Sequence, residues 1–180
     1  LLNPGLDAPV IRAAVYASSG SIVPVRDRLA YLDAIRQMGF TAVKLRVHDF
    51  DIAEDIAVVR AARDHVGDEF TIGVDANQGW RVTLIDDAPL WDLERATSFG
   101  RACEELGVAW LEEPRDMHAY DELAELCRRC EVPIAGGEMN DGWHEFKVML
   151  EKHSYDVYQP DATMGGGISD ALRVLEACGE

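Results

Sequence analysis

Two cations two residues apart, Lys44 and Arg46, and four acids that recur behind them, Asp75, Glu112, Glu138 and Asp161, are the residues with the most chemistry to offer. The cations lie in Val43-Lys44-Leu45-Arg46-Val47-His48, which reads as a strand. Side chains alternate across a strand, so Lys44, Arg46 and His48 share one face and Val43, Leu45 and Val47 the other. In a buried α/β unit both faces are covered by protein, and neighbouring cations there are costly unless anions oppose them. The four acids close successive apolar runs and can supply those anions. Three carboxylates crowded together repel one another and raise each other's pKa values. A divalent cation removes that penalty, and an all-oxygen donor set suits Mg²⁺ better than zinc or copper. Three carboxylates, one Mg²⁺ and the Lys44/Arg46 pair sum to about +1. Such a site welcomes a carboxylate substrate, and still more the doubly negative enediolate formed when the proton beside that carboxylate leaves.

Any one of these acids could be a helix N-cap or a loop charge. The set, in strand order and opposite a buried Lys/Arg pair, is what carries the reading. The elements that must position it alternate. Residues 11–17, 41–48, 70–74, 108–111, 133–136 and 155–159 read as strands. Between them, residues 25–38 place Val25, Leu29, Leu32 and Ile35 at helical spacing, and 51–66 do the same with Ile52, Ile56, Val59 and Val66. Asp51 suits the N-cap of that second helix, and Gly39 and Gly67 suit helix ends. Three further stripes follow: Phe99, Ala102, Cys103 and Leu106; Leu123, Leu126, Cys127 and Cys130; Trp143, Phe146 and Met149. A sixth helix opens at Gly165-Gly166-Gly167. Strand and helix thus alternate six times, which predicts a parallel sheet in one domain over residues 1–180. Six units would suit a doubly wound sheet, whereas a (β/α)₈ barrel typically takes about 250 residues. The charged strand ends decide for the barrel: there they converge on one mouth, while in an open sheet they would spread along an edge. The irregular stretch 78–91 is either a substrate-covering loop or a surface insertion.

Composition sets outer bounds. Of 180 residues, 48% are hydrophobic and 28% charged, and the apolar runs fall short of a membrane span. A formal charge of −16 argues against nucleic acid or anionic membrane partners, without excluding a small anion at a locally positive site. The spacing Cys127-Arg128-Arg129-Cys130 resembles half a zinc knuckle, but no second pair completes it. All four cysteines, Cys103, Cys127, Cys130 and Cys178, fall on apolar helical stripes and read as buried thiols in a reducing, cytoplasmic setting.

At these residues the chain resembles the enolase superfamily, specifically its mandelate racemase subgroup. The likeness is carried by Val43-Lys44-Leu45-Arg46, Val74-Asp75-Ala76-Asn77-Gln78, Trp110-Leu111-Glu112-Glu113-Pro114, Gly136-Gly137-Glu138, Gln159-Pro160-Asp161 and Gly165-Gly166-Gly167. The resemblance implies the first six units of a (β/α)₈ TIM-type barrel, with the N-terminal capping domain and the last two units absent. It implies Asp75, Glu112 and Glu138 as Mg²⁺ ligands, with a third-position glutamate marking the mandelate racemase subgroup. It implies Lys44 at the substrate carboxylate, Asn77 as a substrate contact, and Asp161 as the half of a His-Asp dyad that orients the histidine. Specificity would come from the capping domain, the loop around Ser18-Ser19 and the 78–91 segment, with Ser19 and His48 as candidate contacts. His48 also reads as a satisfied loop residue, and Glu113, on the opposite strand face from Glu112, as structural. The full-length protein would be a homo-oligomer.

Two departures shape the expected activity. The family often carries Lys-x-Lys where this chain has Lys44-Leu45-Arg46, and a guanidinium does not serve as a base at ordinary pH. Racemisation needs a base on each face, whereas dehydration can use one histidine to remove the proton and then protonate the departing hydroxyl. The family's histidine ends a seventh strand, which lies past residue 180, so the chain alone is expected to be inactive. The implied activity is that of an acid-sugar dehydratase, with a racemase or epimerase, or a catalytically silent metal-binding homologue, as rivals.

Overall fold

The computed structural model describes residues 13–80 and 90–179. Six strands alternate with six helices: β1 (Ala17–Ser18), α1 (Val25–Gln37), β2 (Ala42–Arg46), α2 (Ile52–Val66), β3 (Thr71–Asp75), α3 (Leu93–Glu105), β4 (Trp110–Glu112), α4 (Tyr120–Arg129), β5 (Ile134–Gly136), α5 (Gly142–Lys152), β6 (Val157–Tyr158) and α6 (Gly167–Cys178). Each expected element is present, with shifted ends. The first and sixth strands are only two residues long. Residues 11–12 of the expected first strand, and 81–89 of the irregular stretch, lie outside the described residues.

Local chemistry sets the helix ends. The Asp51 carboxylate accepts the Ala53 N–H at 2.9 Å and caps α2, and Gly67 ends it at φ 79°. Asp92 caps α3 in the same way by accepting from Arg95 N. Gly39, at φ 90°, turns the chain out of α1.

All six strands are parallel and their order in the sheet follows the chain, β1 to β6, without reversal. A doubly wound sheet reverses at a switch point; sequential winding, with each helix packed on the next, is that of a TIM-type barrel. Register sorts the side chains into two faces. Leu45, Val74, Leu111 and Ile134 stand in one row across the sheet. They are fully buried against Leu32, Val59, Phe99, Leu123, Phe146 and Met149 from the helices. Each such side chain removed from water contributes about 1.5–3 kcal/mol, so this layer sets the strand register. The other face carries a second row, Arg46, Asp75, Glu112, Ala135 and Val157. Directly beneath it run Ser18, Lys44, Gly73 and Trp110.

The cysteine expectation holds for two positions and needs correcting at the other two. Cys103 and Cys130 are buried, but Cys127 is half-buried and Cys178, near the end of α6, is exposed beside Leu175. Among the described residues no helix is long and apolar enough to cross a membrane.

Candidate active site

Because the inward rows are in register, Asp75 and Glu112 are lateral neighbours at the ends of β3 and β4, and Lys44 reaches up between them from the row below. Its ammonium donates to Glu112 Oε1 and lies 3.4 Å from Asp75 Oδ2. Arg46 donates from a terminal nitrogen to the same Asp75 Oδ2 at 3.3 Å. Lys44, Asp75 and Glu112 are at most 8% exposed. Burial alone would lower the Lys44 pKa, but Asp75 and Glu112 outweigh it and leave it above its ordinary value. Asp75 is raised by burial and then by Glu112, against the pull of Lys44 and Arg46. The half-buried Glu138, two residues past β5, is raised chiefly by burial, with Glu112 and Asp75 adding and Lys44 and Arg46 opposing.

The second oxygens of both acids are occupied. Asp75 Oδ1 accepts from Asn77 N at 2.9 Å, and the Asn77 amide reaches back to Asp75 O at 3.2 Å, in a turn that holds Asn77 at φ 50°. Glu112 Oε2 accepts from Trp110 Nε1 at 3.1 Å and Gln159 Nε2 at 3.0 Å. Asp75 Oδ2 and Glu112 Oε1 are thus the two oxygens turned toward the cations.

The remaining expected residues are placed unequally. Ser19 is buried, but its hydroxyl donates to Lys44 O at 2.9 Å and accepts from Arg46 N at 3.2 Å, so its one hydrogen goes to the β2 backbone and none is left for a ligand. His48 is also buried, and Nδ1 meets Gln78 Nε2 at 2.8 Å. The Gln78 amide is oriented by Ala76 O and Trp91 N, so its Nε2 donates and His48 Nδ1 accepts. The reading of His48 as a satisfied loop residue fits this arrangement. Asp161 does not join the cluster: Oδ1 accepts from Thr163 N at 2.7 Å and Thr163 Oγ1 at 2.6 Å, which lowers its pKa. Glu113 lies behind the mouth, where Gly79 leaves it room; a Cβ at Gly79 would stand 2.6 Å from Glu113 Oε1. Burial, then Asp75, Glu138 and Glu112, push Glu113 up to about 8. Trp110, Gln159 and Gln78 had no assigned role in the sequence, although each sits within three residues of a strand-end acid; that adjacency was the available signal.

Among the described residues no three His, Cys, Asp or Glu side chains converge closely enough to hold a metal ion as they stand. Asp75 and Glu112 converge, on Lys44, and Glu138 stands off from them. The donor set nonetheless fits a hard divalent cation. The two inward-facing oxygens share one cation already, and Asp75 and Glu138 are raised by burial and by the other acids, as in a site short of positive charge.

A TIM-type barrel whose mouth gathers buried acids around a Lys/Arg pair is the class of protein that fold and site define. Residues 28–180 match the family model described as Enolase C-terminal domain-like. The chain belongs to that family, within the enolase superfamily. It is 34% identical over 163 residues to the L-talarate/galactarate dehydratase of Salmonella typhimurium, covering 89% of this chain and 38% of that protein. It is 32% identical over 164 residues to the arabinonate dehydratase of Saccharolobus solfataricus, covering 91% and 40%. Its fold matches the crystal structure of a Polaromonas L-talarate dehydratase complexed with Mg and L-glucarate at a TM-score of 0.82 and 30% identity, over 94% of this chain and 45% of that one. The chain spans about two fifths of the length of the curated relatives it matches.

Proposed function

We propose that the protein is a Mg²⁺-dependent acid-sugar dehydratase, which removes the proton α to a sugar-acid carboxylate and expels the β-hydroxyl as water. The observation that carries this reading is the pairing of Asp75 Oδ2 and Glu112 Oε1 on a single ammonium at the mouth, with Glu138 electrostatically coupled to both. The likeness to sugar-acid dehydratases supports the substrate class. Asp75, Glu112 and Glu138 would hold Mg²⁺, which when bound offsets the negative charge that builds on the substrate carboxylate.

The chain's own groups bind and orient the substrate. Lys44 places a permanent positive charge beside that carboxylate. Arg46, tied to Asp75, clamps the substrate and accepts no proton, so base chemistry is confined to one face of the α-carbon. In this reading the α C–H bond breaks to a histidine that is not among residues 1–180, with Asp161 as the group proposed to orient it, and the same proton leaves with the β-hydroxyl as water. The resulting enol tautomerises to a 2-keto-3-deoxy acid. Asn77, fixed against Asp75, is a substrate contact in this scheme, and His48 supports the loop beside it. Four unpaired cysteines agree with a reducing, cytoplasmic setting.

The test is incubation of the intact protein with Mg²⁺ and a panel of aldonic and aldaric acids, followed by detection of 2-keto-3-deoxy products. Their formation is the expected result. Deuterium uptake from solvent into recovered substrate without loss of water would instead mark an epimerase. Neither product nor exchange with any acid would overturn the enzymatic reading.

A further inference from the structure

Glu112 treats its two oxygens differently. Oε1 faces Lys44. Oε2 receives two N–H donors, from the Trp110 indole at 3.1 Å and the Gln159 amide at 3.0 Å, which fill its hydrogen-bonding capacity. Both donors are themselves held. The Trp110 ring lies where Gly73 has no side chain: a Cβ there would come within 2.2 Å of it. The ring also packs against Tyr16, with centroids 5.2 Å apart. Gln159 is anchored through its own N–H to Gly136 O at 2.9 Å, which continues the β5–β6 pairing. The carboxylate therefore cannot rotate to present both oxygens to one cation without giving up two hydrogen bonds.

We infer that Trp110 and Gln159 are positioning residues that hold Glu112 as a one-oxygen ligand and thereby make the mouth select Mg²⁺ over Ca²⁺. The inference rests on Glu112 being a cation ligand, as proposed above. The physical ground is the difference between the two ions. Mg²⁺ is small and demands near-octahedral geometry with short bonds, which single carboxylate oxygens satisfy. Ca²⁺ takes six to eight oxygens in loose geometry and gains from bidentate carboxylates. A glutamate with one oxygen tied up removes that gain. One donor comes from β4 and the other from the residue just after β6, so selectivity is built by the sheet rather than by the ligand itself.

The experiment titrates the intact protein with Mg²⁺ alone and with Ca²⁺ alone by calorimetry, in the parent and in Trp110→Phe and Gln159→Leu. Phe keeps a ring over Gly73 while losing the donor. Each variant is expected to shift the ratio of the two dissociation constants toward Ca²⁺ by about tenfold, the scale on which outer-sphere partners tune metal sites. The shift is expected to be larger when both donors are removed. A residue that merely packs would lower the melting temperature and leave the ratio alone. Variants that fold and keep the parent's ratio overturn the inference. Should Trp110→Phe fail to fold, Gln159→Leu, altered outside the hydrophobic core, decides by itself. A parent protein that binds neither ion removes the metal site, and with it both this inference and the proposed function.

Discussion

Two buried ionic clusters flank β2, and they are built on opposite plans. On the helix side, Asp55 of α2 meets Arg95 of α3 at 3.2 Å and accepts Asp49 N–H at 3.0 Å. Arg95 also donates to Asp49 O at 2.6 Å and Phe50 O at 2.8 Å and lies over the Trp91 ring at 5.0 Å. One anion faces one cation, and nearly every remaining valence goes to the backbone of the loop after β2. On the mouth side, Lys44 and Arg46 face Asp75 and Glu112, with Glu138 and Glu113 close enough to be perturbed by them. Acids outnumber cations there. The first cluster is a joint that locks a loop to two helices. The second holds more negative charge than the protein neutralises, which is the condition for binding a cation or moving a proton.

The sharpest way to break the contrast is Lys44→Met. At the mouth the cation, not the acid, is the scarce partner, so its removal leaves Asp75 and Glu112 facing each other. A loss of about 3–5 kcal/mol in a urea titration is expected, the usual cost of orphaning a buried charge. Added Mg²⁺ should recover more stability in this variant than in the parent, because the competitor for the same two oxygens is gone; equal recovery in both would mean that Lys44 and the metal do not share a position.

The joint is sharpened by its pH dependence. Burial, against the opposing pull of the Asp49 N–H and Arg95, raises Asp55 to about 6. The folded protein then keeps this proton to higher pH than the unfolded chain does. Its contribution is greatest below the unfolded value near 4 and declines as pH rises through about 6, by roughly 3 kcal/mol. Asp55→Asn should lack that decline, so parent and variant stability curves should diverge between pH 4 and 6 and run parallel above it. Curves parallel throughout would remove Asp55 as the titrating group.

The smallest effect is expected at Glu138→Gln. Burial and the neighbouring acids raise Glu138, so removing its charge relieves repulsion and should leave stability unchanged or higher by at most about 1 kcal/mol. Magnesium affinity should nonetheless fall by about tenfold or more, measured by calorimetry. A large loss of stability with unchanged affinity would make Glu138 part of the architecture instead.

Much of the fold was legible residue by residue. The alternation of Val43, Leu45 and Val47 with Lys44, Arg46 and His48 states which side of β2 meets the helices, because strand geometry has a period of two. The helix stripes and the Asp51 and Gly67 boundaries are equally local. The strand-end acids were visible as a set, but chain order alone let all four seem equivalent. The folded protein separates them: Asp75 and Glu112 meet, Glu138 stands off, and Asp161 turns to Thr163 two residues away. Ser19 likewise reads as a loop hydroxyl until the β1–β2 register brings it to the Lys44 carbonyl.

Sequence by itself determined the order of the elements, the face each strand buries and the kinds of charge at each strand end, since these depend on spacings of two to four residues. Only the tertiary structure decided which oxygen meets which donor. Lys44 and Glu112 are 68 positions apart, and Gln159 and Glu112 are 47 apart. Their meeting depends on the stagger of separate strands, which side chains packed on the far face of the sheet impose. A contact of that kind is a property of the assembled sheet, and no local pattern encodes it.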